Sequence, residues 1–148
     1  MVYLHIADDI TMRHALLASG LALLLAGCAS VGSKGDQLTQ IQYDYSAAIR
    51  WGDFEGAWSL VDPEYKKAHP MSDVDFSRYQ QVQVSGYTDL AAQVSPDQST
   101  AMREIQINVI NKHTMAERSM RYTEQWRYDA AGKRWWLSNG LPDFWAGQ

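Results

Sequence analysis

Gln81-Val82-Gln83-Val84-Ser85-Gly86-Tyr87-Thr88-Asp89-Leu90-Ala91-Ala92-Gln93-Val94 alternates apolar and polar residues, and with it the chain changes from a helical period to a period of two. Val82, Val84, Gly86, Thr88, Leu90, Ala92 and Val94 share one parity, which predicts a long strand buried on that side. The same parity puts Tyr87 and Asp89 on the polar face, and Gly86 marks a bend or bulge.

Downstream the alternation continues. Ser95-Pro96-Asp97-Gln98 is a turn. A second strand is predicted over Thr100–Ile110, with Ala101, Ile105, Ile107 and Val109 inward. After Asn111–Thr114 a third runs from Met115 to Tyr128, with Ala116, Met120, Tyr122, Trp126 and Tyr128 inward. Asp129-Ala130-Ala131-Gly132 leads to a fourth, Lys133–Ser138. Strands joined by turns this short are antiparallel. The tail from Asn139 to Gln148 carries Leu141, Phe144 and Trp145, apolar enough to dock.

Upstream the period is helical. Leu38, Ile41, Tyr45, Ala48 and Ile49 give one apolar stripe over Asp36–Trp51, with Asp36 as N-cap and Gly52 as terminator. Asp53 caps a second helix to about Val61, with Phe54, Ala57, Trp58 and Val61 inward, and Pro63 stops it. Glu64–His69 reads as a turn of helix. A third helix to Tyr79 starts at Ser72 or Asp73, anchored by Val74, Phe76 and Tyr79. Helices followed by a four-stranded meander make an α+β domain, expected over residues 36–148.

Before the domain, Ala15–Leu25 is an apolar run behind Met12-Arg13-His14, and Leu25-Ala26-Gly27-Cys28 closes it. A span would need about 20 apolar residues. The layout is that of a secretion signal over residues 1–27, cut between Gly27 and Cys28. The box resembles that of bacterial lipoproteins, which implies lipidation of Cys28, a membrane anchor and a cell-envelope location. Ala29 after the cysteine favours the outer membrane facing the periplasm. Asp8 and Asp9 suit a signal poorly, so translation is expected to start at Met12. Residues 28–35 read as the lipidated cysteine and a flexible tether. Cys28 is the only cysteine, so no internal disulfide forms.

Removing residues 1–27 takes away Asp8, Asp9 and Arg13, and changes the net charge from −4 to −3. So mild a charge, without a basic stripe, argues against a nucleic-acid partner. All six Trp, at 51, 58, 126, 135, 136 and 145, fall in the domain and point to a filled core or a lined cavity.

Helix, Gly52-Asp53, helix, Pro63, then long strands ending in Gly-Lys-Arg-Trp-Trp-Leu resembles the nuclear transport factor 2-like superfamily. The resemblance covers Gln37 to Ser138 and implies a cone, in which a curved four-stranded antiparallel meander wraps the first helix and encloses a pocket. It also implies sheet-mediated dimers, and in some members, ketosteroid isomerase among them, proton transfer by a cavity Tyr with acids.

Chemistry is sparse. Arg118 and Glu124 share the parity of Met120, Tyr122 and Trp126, and Arg103 that of Ile105 and Ile107. A buried charge is tolerable only when paired, which predicts an Arg103–Glu124 pair on the concave face. It reads either as a structural ion pair or as a polar spot in a ligand cavity, with Tyr45 and Arg118 as further cavity candidates. Tyr43, Asp44 and Asp89 do not match the isomerase pattern, and no catalytic role is assigned. His69 and His113 lie beside turns without a second ligand nearby, so neither a metal nor a cofactor is expected. Trp135 and Trp136 point to opposite faces, so one leaves the core; it packs under the tail against Phe144 or Trp145, or it forms an interface with a partner or a second copy. Three functions follow: an anchored accessory domain binding an envelope protein, peptidoglycan or a small apolar ligand without turnover; a pocket enzyme using Glu124, Arg103 or Asp44; or a structural subunit dimerising through the sheet.

Overall fold

In the computed structural model, which describes residues 32–146, helix α1 (Lys34–Trp51) starts two residues earlier than its apolar stripe suggests. Ser33 is the N-cap, and Asp36 returns a bond to its backbone as the third residue of a capping box. Gly52 ends the helix at φ 74°, a left-handed conformation that favours glycine. Asp53 caps α2 (Phe54–Ser59) through the Gly56 N–H. Pro63 opens α3 (Pro63–Ala68) at its first turn, where no N–H is needed, and Asp62 caps it. A second capping box, Ser72 with Asp75, starts α4 (Asp73–Tyr79). The signal, cleavage and lipidation readings at Gly27 and Cys28 lie outside the described residues. Among the described residues no helix is long and apolar enough to cross a membrane.

The strands are β1 (Val82–Val94), β2 (Thr100–Asn111), β3 (Glu117–Asp129) and β4 (Arg134–Leu137). They form one open antiparallel sheet in the order β1-β2-β3-β4, which with the helices is an α+β fold. β2 and β3 pair without a bulge, from Thr100 opposite Arg127 to Ile110 opposite Glu117. β4 is short, and its outer edge is taken: Asp62 N–H donates to Leu137 O at 2.8 Å and Leu137 N–H to Leu60 O at 3.0 Å. Among the described residues β1 has a neighbour on one side only.

The predicted parity of β1 is corrected by two bulges. Its pairing steps from Val84 opposite Val109 to Gly86 opposite Asn108, leaving Ser85 unpaired, and from Asp89 opposite Ile105 to Ala91 opposite Glu104, leaving Leu90 unpaired. Each extra residue flips the faces. Between the bulges Tyr87 and Asp89 therefore turn to the inner side, and Tyr87 is buried. Glycine suits position 86, where a Cβ would come within 3.2 Å of the Asn108 side chain. The far half of β1, from Leu90 to Val94, is exposed, against the expectation of one buried face along its whole length.

α1 lays Leu38, Tyr45 and Ile49 onto the sheet. Ile105, Ile107, Val109, Trp126 and Trp135 meet it, with Phe54 and Ala57 from the second helix and Val61 from the segment after it. Fully burying one such side chain contributes about 1.5–3 kcal/mol. Phe144 docks the tail edge-on to Phe54 and Tyr79. Val74, expected as an anchor of α4, is 77% exposed, because Phe76 and Tyr79 set the packed face.

Candidate functional site

Arg103 on β2 and Glu124 on β3 stand directly opposite each other. The Glu124 carboxylate is fully buried and takes hydrogen bonds on both oxygens. Arg103 Nη2 donates to Oε1 at 2.8 Å and Arg103 Nε to Oε2 at 3.0 Å. Trp126 Nε1 donates to Oε2 at 2.9 Å, and the Tyr87 hydroxyl donates to Oε1. A carboxylate has about four acceptor positions, and all are used. Arg103 also donates through Nη2 to Gln42 O on α1 at 3.2 Å and reaches Asp89 Oδ2 at 3.4 Å.

These contacts set the charges. Burial disfavours the Arg103 cation, but the hydrogen bonds and charge of Glu124 outweigh it, and the guanidinium titrates above its usual value. Burial, and then the charge of Glu124, push the Tyr87 hydroxyl far above the ordinary tyrosine range. Burial likewise raises Tyr122, although its bond with Tyr45 opposes this. Tyr87 and Tyr122 are neutral, and Arg103 is a fixed cation.

Beside this cluster runs a groove of about 640 Å³ between α1 and the free side of β1. Thr39, Gln42, Tyr43, Ser46, Ala47 and Arg50 form one helical stripe along it; Tyr87, Thr88, Asp89 and Ala92 form the strand side. Arg103 lies at its floor. Arg50 spans the groove, donating from Nη2 to Tyr87 O at 2.8 Å. Tyr43 and Trp51, 68% and 88% exposed, stand on its rim.

The other candidates sit elsewhere. Tyr45 is core: fully buried, edge-on to Trp126 at 5.7 Å, its hydroxyl 3.4 Å from that of Tyr122. Arg118 lies opposite Val109, six residues along β3 from Glu124, or roughly 20 Å. Trp135 is buried; its Nε1 donates to Lys34 O at 2.9 Å and its ring meets Tyr128 edge-on. Trp136 takes the outer face, where the Arg134 guanidinium covers its ring at 3.7 Å. Neither packs under the tail, whose Phe144 and Trp145 go to Tyr79 instead. Asp44 is exposed and accepts from Gln40 on its own helix. His69 and His113 are exposed, His69 stacked on Tyr65. Among the described residues no group of His, Cys, Asp and Glu is gathered to hold a metal ion. Sequence reasoning missed Tyr87, Asp89 and the Trp126 indole N–H; the one available signal was Gly86 beside Tyr87.

No protein-family model and no curated protein matches the chain. Several solved structures are similar to it. A SEC-C motif containing protein from Rhodopseudomonas palustris is 20% identical, with 66% of this chain and 72% of that one covered, at a TM-score of 0.51. A putative Ca/calmodulin-dependent kinase II association domain from Exiguobacterium sibiricum is 16% identical, with 78% and 100% covered, at 0.52. A SEC-C motif containing protein from Psychrobacter arcticus is 11% identical, with 80% and 67% covered, at 0.52. At these identities the likeness is one of fold alone. It corrects the family expected from the sequence: the neighbours are SEC-C motif proteins and an association domain, not a lipoprotein with a nuclear transport factor 2-like domain. The physical reason is that helices, a Gly-Asp junction and a late Gly-x-x-Trp strand suit any layer of helices on an antiparallel meander.

Proposed function

We propose that the domain is a non-catalytic binding module whose ligand lies in the groove between α1 and β1. The observation that carries this reading is the saturation of Glu124. An acid or base must reach a substrate proton at hydrogen-bond distance. The buried acid beside the groove instead spends its acceptor positions on Arg103, Tyr87 and Trp126. What it provides is a rigid floor: a fixed guanidinium and a fixed tyrosine under an open cleft. The space between sheet and α1 supports the same reading, because Tyr45, Ile105, Ile107 and Trp126 fill it as core rather than leave a reaction chamber. The groove volume lies in the range of ligand clefts, about 300–1,000 Å³.

Ala47 lines the groove and is half-buried, so Ala47→Trp obstructs the cleft from the helix side while leaving both residues of the ion pair unchanged. With the chain titrated against a fragment mixture, amide shifts are expected to cluster on Thr39–Trp51 and Tyr87–Ala92. They should vanish in Ala47→Trp at unchanged Tm. Shifts clustering elsewhere, or chemical conversion of a fragment, would overturn the reading.

A further inference from the structure

We infer that the groove takes an extended peptide of another protein, which adds as a fifth strand to the free edge of β1; this rests on the groove being the binding site. The pairing shows which groups that edge presents. Thr100 O accepts from Ser95 N–H, so the even-numbered residues of β2 face β1 and the odd-numbered ones face β3. Tyr87, Asp89 and Ala92, opposite Ile107, Ile105 and Arg103, therefore turn their N–H and C=O groups away from β2, toward the groove. Arg50 confirms the direction, since its guanidinium already bonds Tyr87 O there.

The two edges of the sheet are treated differently. Leu60–Asp62 closes the β4 edge with backbone bonds. Among the described residues the β1 edge receives one side chain, Arg50. Unpaired edge groups template another strand, and a helix beside an edge gives the added strand a second wall for its alternate side chains. The dimensions agree. The helical stripe from Thr39 to Arg50 is about 16 Å long at 1.5 Å per residue, the span of roughly five extended residues. Tyr87 and Asp89 lie on the regular part of the edge between the bulges at Ser85 and Leu90, and Ala92 follows the second bulge. Charge selects the peptide further: Glu124 already neutralises Arg103, so Arg50 is the groove cation that favours a carboxylate in the added strand. Tyr43 and Trp51 on the rim supply apolar contact.

The test uses a displayed library of random 12-residue peptides panned on the full chain. The enriched peptide is then made with single N-methyl groups at successive backbone nitrogens. Strand addition predicts alternation: methylation at every second position weakens binding at least tenfold, and at the intervening positions leaves it unchanged. Bound peptide should also slow hydrogen exchange at the Tyr87, Asp89 and Ala92 amides, and Arg50→Ala should remove enrichment for Asp and Glu. Tight binding indifferent to N-methylation would overturn strand addition while leaving the groove reading intact. Equal binding to Ala47→Trp would sink both. No enriched peptide, or protection of those amides by a second copy of the chain without peptide, would also overturn the inference.

Discussion

Glu124 shows how one side chain can be indispensable to the fold and unavailable to chemistry. Its carboxylate is fully buried, and Arg103, Tyr87 and Trp126 all donate to it. Glu124→Gln keeps the shape but removes the charge, and its new NH₂ faces groups that are themselves donors. Arg103, nearly as buried, keeps only the longer contact with Asp89 as a charge partner. Breaking a buried pair from one side costs about 3–5 kcal/mol. Glu124→Gln is therefore expected to lose about 3 kcal/mol or more in urea unfolding. Replacing both partners with apolar residues, as in Arg103→Met with Glu124→Leu, removes both desolvation penalties, and the double variant should lose less than the two singles added together. Strict additivity would show that the pair is not coupled.

At the scale of elements, β1 is where local pattern and tertiary structure part. Tyr87 reaches Glu124 only because Ser85 is extruded from the ladder. Tyr87→Phe removes a hydrogen bond to a charged group, a loss of about 1.5–3 kcal/mol. Deleting Ser85 removes only the unpaired residue: Val84 opposite Val109 and Gly86 opposite Asn108 become consecutive pairs, and Tyr87 stays opposite Ile107 on the inner face with its bond to Glu124. The deletion is thus expected to lower the urea midpoint less than Tyr87→Phe; an equal or larger effect would mean that the ring needs the bulge itself and not only the face it sets. The same contrast explains what was legible. β2 pairs with β3 without interruption, so Ala101, Arg103, Ile105, Ile107 and Val109 were all placed by parity, and the facing of Arg103 and Glu124 followed. The bulges in β1 have no compositional signature beyond Gly86, so Tyr87 and Asp89 were put on the wrong face, and the groove they line stayed hidden. The two tryptophans of β4 were legible as a pair on opposite faces. What covers each was not, because Trp135 meets Lys34 O from the start of α1.

Over the whole molecule, one buried acid ties the helical layer to the sheet. Asp62 caps α3 through Glu64 N–H, donates its own N–H to Leu137 O on β4, and pairs with Arg127 on β3. The Arg127 hydrogen bond holds its carboxyl below the usual Asp value; burial opposes this, and the Glu64 N–H adds to the lowering. A carboxyl whose pKa is depressed by folding stabilises the native state above its unfolded pKa, about 4, and loses that contribution as pH falls through the folded value. Asp62→Asn keeps a good N-cap and removes only the charge. It should therefore be less stable than the native chain near pH 7, with the gap in urea midpoint narrowing steadily below pH 4 as native Asp62 is protonated. A gap of the same size at pH 7 and pH 3 would mean that the charge of Asp62 is not what joins the layers. The backbone bonds of Leu60–Asp62 to Leu137 would then hold the helices to the sheet without it.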